Sequence, residues 1–494
     1  MNRGLRLSSV LVAGAAVVAA GAVVRVPALD LAAARPGPGA DSATGALAAR
    51  TVTVARAELA CPGPETIGVR GVEPVGTAPA PATIEVATAP GGGSSEAQPA
   101  DLRARSLPGA ALSTRSPAAA STRVSGTSSS AAAGVGLTAT GAAAPGLVAG
   151  QITTVPTGDL RGLSSTACTE PADDTWLVAG GSEAGRRGRL VLVNPAANPV
   201  DVDVEVLGES GPVPRSPGSS VAIPARSRTV LLLDALAPGV RSPVVHVTTT
   251  GGAVAATLSD AWLNGTTPVG LDDAAPAAAP ARRALVPAVL GGGPSSVRVA
   301  STGPTEAVVQ VRLLGATGPV DLPGGGVLRV PKEASRTLDL GTLAPGGYVV
   351  EVVSDAPVVA GALLRRTGAA SDLAWFGSAE PAGPLIGAAV LRGGPGWASW
   401  LVLGAARDRV RGELVTVRAD GSATNRNIEV APGRAVTVST GDAVAAWVRP
   451  RAGTGELVAA RVTARRDPRG PLVTGGALQQ APEEQRLPAV VPER

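Results

Sequence analysis

The sequence predicts an all-β protein: tandem immunoglobulin-like β-sandwich modules following an N-terminal hydrophobic helix. Three observations carry this. Gly and Pro number 64 and 44 in 494 residues, with Val-rich runs between them, which favours short strands and turns. One such run, PVDVDVEVL (199–207), alternates cleanly, with Val202, Val204 and Val206 on one side and Asp201, Asp203 and Glu205 on the other. Period two with a single apolar face is a strand with one side on a core and one in water. Third, LGESGPV (207–213) recurs as LGATGPV (314–320), an offset of 107.

The repeat extends beyond that turn. Pro224 and Pro331 share the offset, as do the two LAPG stretches at 236–239 and 343–346. A weaker copy follows, with Gly421 at the turn and Pro432 in IEVAPGRAVTV. Pro171, Pro276, Pro381 and Pro482 mark segment ends at intervals of 105, 105 and 101, which implies an earlier fourth copy. In each turn Gly tolerates positive φ and Pro fixes φ near −65°, so the preceding strand must reverse or leave its sheet.

Along the chain the reading is as follows. Residues 1–30 form a signal peptide or membrane anchor. Arg3 and Arg6 precede an uncharged run at 7–24, with a small-residue cleavage site near Ala22. Either form places the remainder outside the cytoplasm. Residues 48–171 form a β module whose Ser/Ala/Pro/Gly-rich stretch 88–134 reads as a disordered insertion. Three β-sandwich modules follow at 172–276, 284–381 and 385–482. The first of these, 172–276, offers seven runs: TWLVAG, RLVLVN, PVDVDVEVL, SSVAIP, SRTVLLLDA, PVVHVTTT and AVAATLSD. Stretches such as HVTTTGGAVAATLSD (246–260) and EVVSDAPVVAGALLR (351–365) read as strand, turn, strand. Ala/Pro-rich linkers at 274–283 and 378–384 predict a semi-rigid string of modules. Residues 483–494 read as a disordered tail.

Export makes the cysteines informative. Cys61 and Cys168 are the only two, and an even count in an oxidising compartment predicts a disulfide.

Composition excludes much chemistry. His246 is the only histidine, so HExxH zinc sites are ruled out, and with no GxSxG elbow it reads as a strand residue. Lys332 is the only lysine and follows Pro331, which removes a P-loop. The net charge is only +4, and the arginine pairs 186–187, 282–283, 365–366 and 465–466 read as solvated turns, so nucleic acid is not an expected partner. Contact with an anionic envelope polymer is the alternative use for them. Carboxylates at Asp173, Asp174, Asp260, Asp272, Asp273 and Asp372 lie near module ends, where their functional reading is a glycosidase pair across an inter-module cleft or a calcium site at a junction. The Asp201, Asp203 and Glu205 ladder reads as a solvated face. Eight aromatic residues over four modules leave little for sugar platforms, and Trp176 and Trp400, which open the comparable runs WLVAG and WLVLG, read as filling equivalent core positions. No catalytic, cofactor-binding or metal-binding residue is assigned, and no cofactor is expected.

The stretches CTEPADDTWLVAGG (168–181) and LVLVNPAANPVDVDVEVLGESGPV (190–213) resemble an actinobacterial family of exported proteins catalogued as a domain of unknown function. The resemblance covers roughly residues 50–480. It implies an N-terminal hydrophobic segment, a β-rich exported region and an association with envelope-related membrane glycosyltransferases. The expected function is therefore a non-enzymatic extracytoplasmic scaffold or binding protein of the bacterial cell envelope. Its partners would be an envelope or membrane protein, or an envelope polymer. An envelope-glycan binding protein and an enzyme using inter-module carboxylates are the alternatives.

Overall fold

Valine-rich strands that bury one face need a second sheet, and the chain supplies it four times. The computed structural model describes residues 50–64, 82–90, 100–109, 111–112, 126–127, 133–216, 218–368 and 370–487. The N-terminal segment 1–30 lies outside them, as do residues 488–494 and much of 113–132. Residues Arg50–Leu487 form one body, and among its described residues helix is confined to single turns such as Leu233–Leu236. None of the described helices is long and apolar enough to cross a membrane.

The second sandwich shows the plan. One sheet runs Asp174–Leu177, Val244–Thr250, Val200–Gly208 and Gly211–Pro212, with Ser220–Ile223 also paired to Val200–Gly208. The facing sheet runs Ser227–Leu232, Arg186–Asn194, Ala255–Asn264 and Thr267–Ala274. Val202, Val204 and Val206 are buried between them and Asp201 is exposed, as the alternation requires. All-β tandem sandwiches are thus present, but their strand order is not the immunoglobulin one. In an immunoglobulin domain the first strand shares a sheet with the second. Here the first strand, Asp174–Leu177, pairs with Val244–Thr250, and the second, Arg186–Asn194, pairs with Ala255–Asn264 in the other sheet.

The repeated turn is one structure used twice. Gly208 pairs Gly211, and Gly315 pairs Gly318, at the tips of matching hairpins. Gly211 and Gly318 sit at φ 122° and 133°, a region that favours glycine, which is why both copies keep it. The third sandwich departs in one respect. EVVSDAPVVAGALLR is not broken by a turn; Gly347–Arg366 is a single strand crossing from one sheet to the other through Ala356 and Pro357. Its counterpart in the second sandwich breaks at Gly251, with φ 81°. SDAP lacks a glycine there, and proline's fixed φ is compatible with extended backbone.

Two segments expected to lack structure contain strands. Asp101–Leu107, inside 88–134, pairs with Gly134–Thr140 and buries Leu102, Ala104 and Leu107, with Arg103 and Arg105 facing out. Glu484–Leu487, inside the expected tail, pairs antiparallel with Arg50–Thr53. That last pairing joins the two ends of the body. Instead of an open string, the sandwiches close a ring, each packed on the next and the fourth on the first. The linkers take part in the packing: Ala277 N–H bonds Trp176 O at 2.8 Å.

One sheet of every sandwich has the same order, ending in the last long strand of its repeat. These four strands, Gly162–Ala167, Thr267–Ala274, Asp372–Gly377 and Leu472–Ala477, pack around a common axis. The disulfide Cys61–Cys168 fastens the first sandwich, joining the end of Arg56–Cys61 to the residue after the first axial strand. Both cysteines are buried.

Candidate functional site

The axial strands GLSSTA, TPVGLDDA and LVTGGA are rich in small and polar residues, whereas DLAWFG also buries Leu373, Trp375 and Phe376. Four strands meeting edge to edge leave backbone N–H groups pointing inward, and a buried N–H needs an acceptor. Asp372 supplies it. Its carboxylate accepts from Val473 N at 2.9 Å, Leu163 N at 3.2 Å and Leu271 N at 3.4 Å. The Leu373 N–H of its own strand is a fourth donor. One residue therefore ties all four sandwiches at one level. Two residues along the axis, Asp272 repeats the device. It accepts from Trp375 N at 2.8 Å, Thr474 Oγ1 at 2.8 Å and Ser165 N at 3.4 Å. Beside it, Asp273 accepts from Ser164 Oγ at 2.5 Å.

Burial dominates the electrostatics here. It pushes the Asp272 and Asp372 carboxyls well above the usual carboxylate range, against the N–H and hydroxyl donors that act the other way. Asp273 is raised too, again by burial, with Ser164 and Ser259 opposing. Arg461, buried and bonded to Ser165 Oγ at 2.7 Å, is lowered to about 10 by burial while Asp272 opposes.

The carboxylates singled out from sequence thus separate into two groups. Asp260, Asp272, Asp273 and Asp372 are buried in the body rather than arrayed along an open cleft. Asp173 and Asp174 are exposed, and Asp174 bonds the half-buried His246 at 3.1 Å. His246 stacks on Trp176 with ring centroids 3.9 Å apart.

Each junction between sandwiches has its own fastening. At the first–second junction Arg228 Nε bonds Pro62 O at 2.6 Å. At the third–fourth junction Arg283 bridges Glu351 at 2.8 Å and also binds Glu456. At the fourth–first junction Arg392 pairs Glu85 at 2.6 Å, and Trp447 Nε1 bonds Gly146 O at 2.9 Å.

The second–third junction is the most polar. Arg298, on Pro294–Ser301, reaches into the second sandwich and donates to the carbonyls of Pro243 at 2.7 Å, Ala179 at 2.9 Å, Gly180 at 3.0 Å and Arg241 at 3.3 Å. Burial, followed by neighbouring Arg186, lowers it to about 9. The four carbonyl oxygens favour the charged form and keep it protonated at neutral pH. Nearby, Arg186 Nη2 pairs Asp260 at 2.7 Å, and Trp375 Nε1 bonds the same carboxylate oxygen at 2.8 Å. A cavity of about 260 Å³ opens beside this cluster.

Several sequence-derived expectations change. The arginine pairs are not simply solvated turns: Arg186 is buried in an ion pair, Arg283 is a junction clamp, and Arg365 lies over Trp262. Trp176 and Trp400 are not equivalent, because Trp176 lies on Asp174–Leu177 of a flanking sheet and Trp400 on Trp397–Ala405 of an axial one. Sequence reasoning did not single out Arg298 or Arg461, because each lies on the strand face opposite its core residues, Val297 and Val299 or Ala460 and Val462, where alternation ordinarily places a solvated side chain. What buries them is the neighbouring sandwich, which no local pattern marks.

The fold and its axis define a class: a closed ring of four β-sandwiches held by buried carboxylates at its centre. More specifically, the chain belongs to a family of unknown function, DUF5719, whose model matches residues 118–441. No curated protein matches it. Among solved structures, the crystal structure of a tetra-tandem repeat in the extending region of a large adhesion protein aligns at 12% identity. That alignment covers 80% of this chain and 94% of that one. Its TM-score is 0.09, too low to carry any argument.

Proposed function

We propose that the protein is a non-enzymatic extracytoplasmic scaffold or binding protein of the bacterial cell envelope, acting beside a membrane enzyme that makes an envelope polymer. The observation that carries this reading is how the reactive groups are used. Asp272 and Asp372 accept backbone N–H groups at the centre of the ring, and Asp260 serves Arg186 and Trp375. A glycosidase pair needs two carboxyls facing a substrate across a cleft. Here Asp260, Asp272 and Asp372 face other strands of the same body. The disulfide fits an oxidising compartment.

Aromatic stacking of sugars is poorly supported as an alternative. Arg186 and Arg365 lie 4.5 and 5.2 Å from the Trp262 ring centroid, Arg298 covers Trp375, and His246 covers Trp176. In-cell crosslinking of the full chain followed by mass spectrometry tests the proposal. Enrichment of a polymer-synthesising membrane enzyme is the expected outcome. Capture of no envelope or membrane protein would overturn it.

A further inference from the structure

The cavity between the second and third sandwiches holds more cationic side chains than the fastening of that junction uses. Four arginines line it: Arg186, Arg241, Arg298 and Arg365. Arg186 and Arg298 are more than nine-tenths buried, and the Nε of each has no hydrogen-bond partner. A buried guanidinium donor without an acceptor is costly, and together with the two further arginines at the wall it leaves the cavity with donors that an entering acceptor would satisfy. Arg241 and Arg365 have side chains without a hydrogen bond or ion pair among the described residues; Arg365 is held instead by its stacking on Trp262. Ser242 and Thr337, whose hydroxyls meet across the junction at 3.0 Å, add neutral donors at the wall.

The acidic groups limit what can enter. Glu183 and Asp339 also line the cavity, and Asp260 lies behind Arg186. Four guanidinium groups against three carboxylates leave one net positive charge. That suits a monoanion and disfavours a polyphosphate. At about 260 Å³ the cavity is just below the ~300–1,000 Å³ of pockets for drug-sized ligands. It has room for one sugar-sized unit.

We infer that this cavity is a binding site for a singly charged oxyanion on a sugar-sized unit, such as a sugar carboxylate or a phosphodiester, recognised by Arg186, Arg241, Arg298 and Arg365. The inference rests on the binding-protein reading above and gives it a ligand class. Arg298 has all its terminal nitrogens engaged with carbonyls, so it contributes Nε and charge. Arg241 and Arg365 are the groups free to close on the ligand.

The test is titration of the purified full chain with glucuronate, dimethyl phosphate or glucose, read by tryptophan fluorescence, since Trp262 and Trp375 line the cavity. A saturable change with glucuronate but not glucose assigns the carboxylate source. The same change with dimethyl phosphate assigns the phosphodiester. In Arg365→Gln and Arg241→Gln the affinity for the active probe should fall about tenfold or more, since each removes a charged donor worth ~1.5–3 kcal/mol. Unchanged circular dichroism would show that the variants fold. No saturable response to either anion, a response to glucose equal to that of the anions, or unaltered affinity in both variants would overturn the inference. The crosslinking result is independent of all three, so a failed titration leaves the scaffold reading standing and a failed capture leaves the anion site standing.

Discussion

Replacing Asp372 with alanine tests whether the ring depends on its axis. The carboxylate accepts the N–H groups of Leu163, Leu271 and Val473, one from each other sandwich, besides that of Leu373. Each buried donor left without an acceptor costs ~1–3 kcal/mol. Water entering the vacated space would re-satisfy part of the set, and removing a buried carboxyl recovers some desolvation cost. Two orphaned donors still give a loss of ~4 kcal/mol. For the body Arg50–Leu487, unfolding entropy scales to ~0.9 kcal/mol per degree, so melting should fall by ~4 °C if the body unfolds as one unit. Scanning calorimetry measures that shift. Hydrogen exchange with mass spectrometry locates it: peptides spanning Gly162–Ala167, Thr267–Ala274 and Leu472–Ala477 should lose protection, whereas Val410–Arg418 in a flanking sheet should not. A melting temperature within ~1 °C of the parent, with unchanged exchange in all three axial peptides, would refute the hub.

Arg298→Met should cost ~3–5 kcal/mol, because four carbonyls lose their shared donor, and urea unfolding reads this directly. Asp272 and Asp372 also predict a pH dependence. Their folded pKa values lie above the unfolded one, so between about pH 4 and the folded values the native state holds more protons and stability falls as pH rises. Melting scans from pH 4 to 8 should show a shallower fall in Asp272→Asn than in the parent; parallel curves would contradict the assignment. Removing the Cys61–Cys168 bridge, by reductant or by alanine at both positions, opens a loop of 107 residues and should destabilise the first sandwich by about 5 kcal/mol. Exchange in Arg56–Cys61 and Gly162–Ala167 reports it.

How far the sequence revealed this fold depended on which physics each strand obeys. PVDVDVEVL was legible because one face meets a hydrophobic core and the other meets water. LGESGPV and LGATGPV were legible because a positive-φ glycine has few substitutes. TPVGLDDA was not among the seven runs read in its repeat. It is nevertheless a strand, Thr267–Ala274, and carries Asp272 and Asp273. The edge of an axial strand meets the other three strands through hydrogen bonds, and the buried carboxylates that serve them interrupt the apolar period. The same condition made Asp272 and Asp372 look like module-end carboxylates available to a cleft or a cation. Ring closure was hidden for a related reason: the pairing of RTVT with EQRL depends on four residues at each end of a long body, and nothing local marks them as partners.

That closing ladder has a mechanical consequence. Arg50 pairs Leu487 and Thr53 pairs Glu484, so residues 50 and 487 sit side by side at one end of it. A force drawing those two residues apart loads the pairs one at a time, Arg50–Leu487 first, as a zip opens from its end. Antiparallel strands pulled in this way part at far lower force than strands sheared along their length, where every bond is strained together. The ladder is thus a clasp that yields under tension before the disulfide-fastened first sandwich or the carboxylate axis is strained.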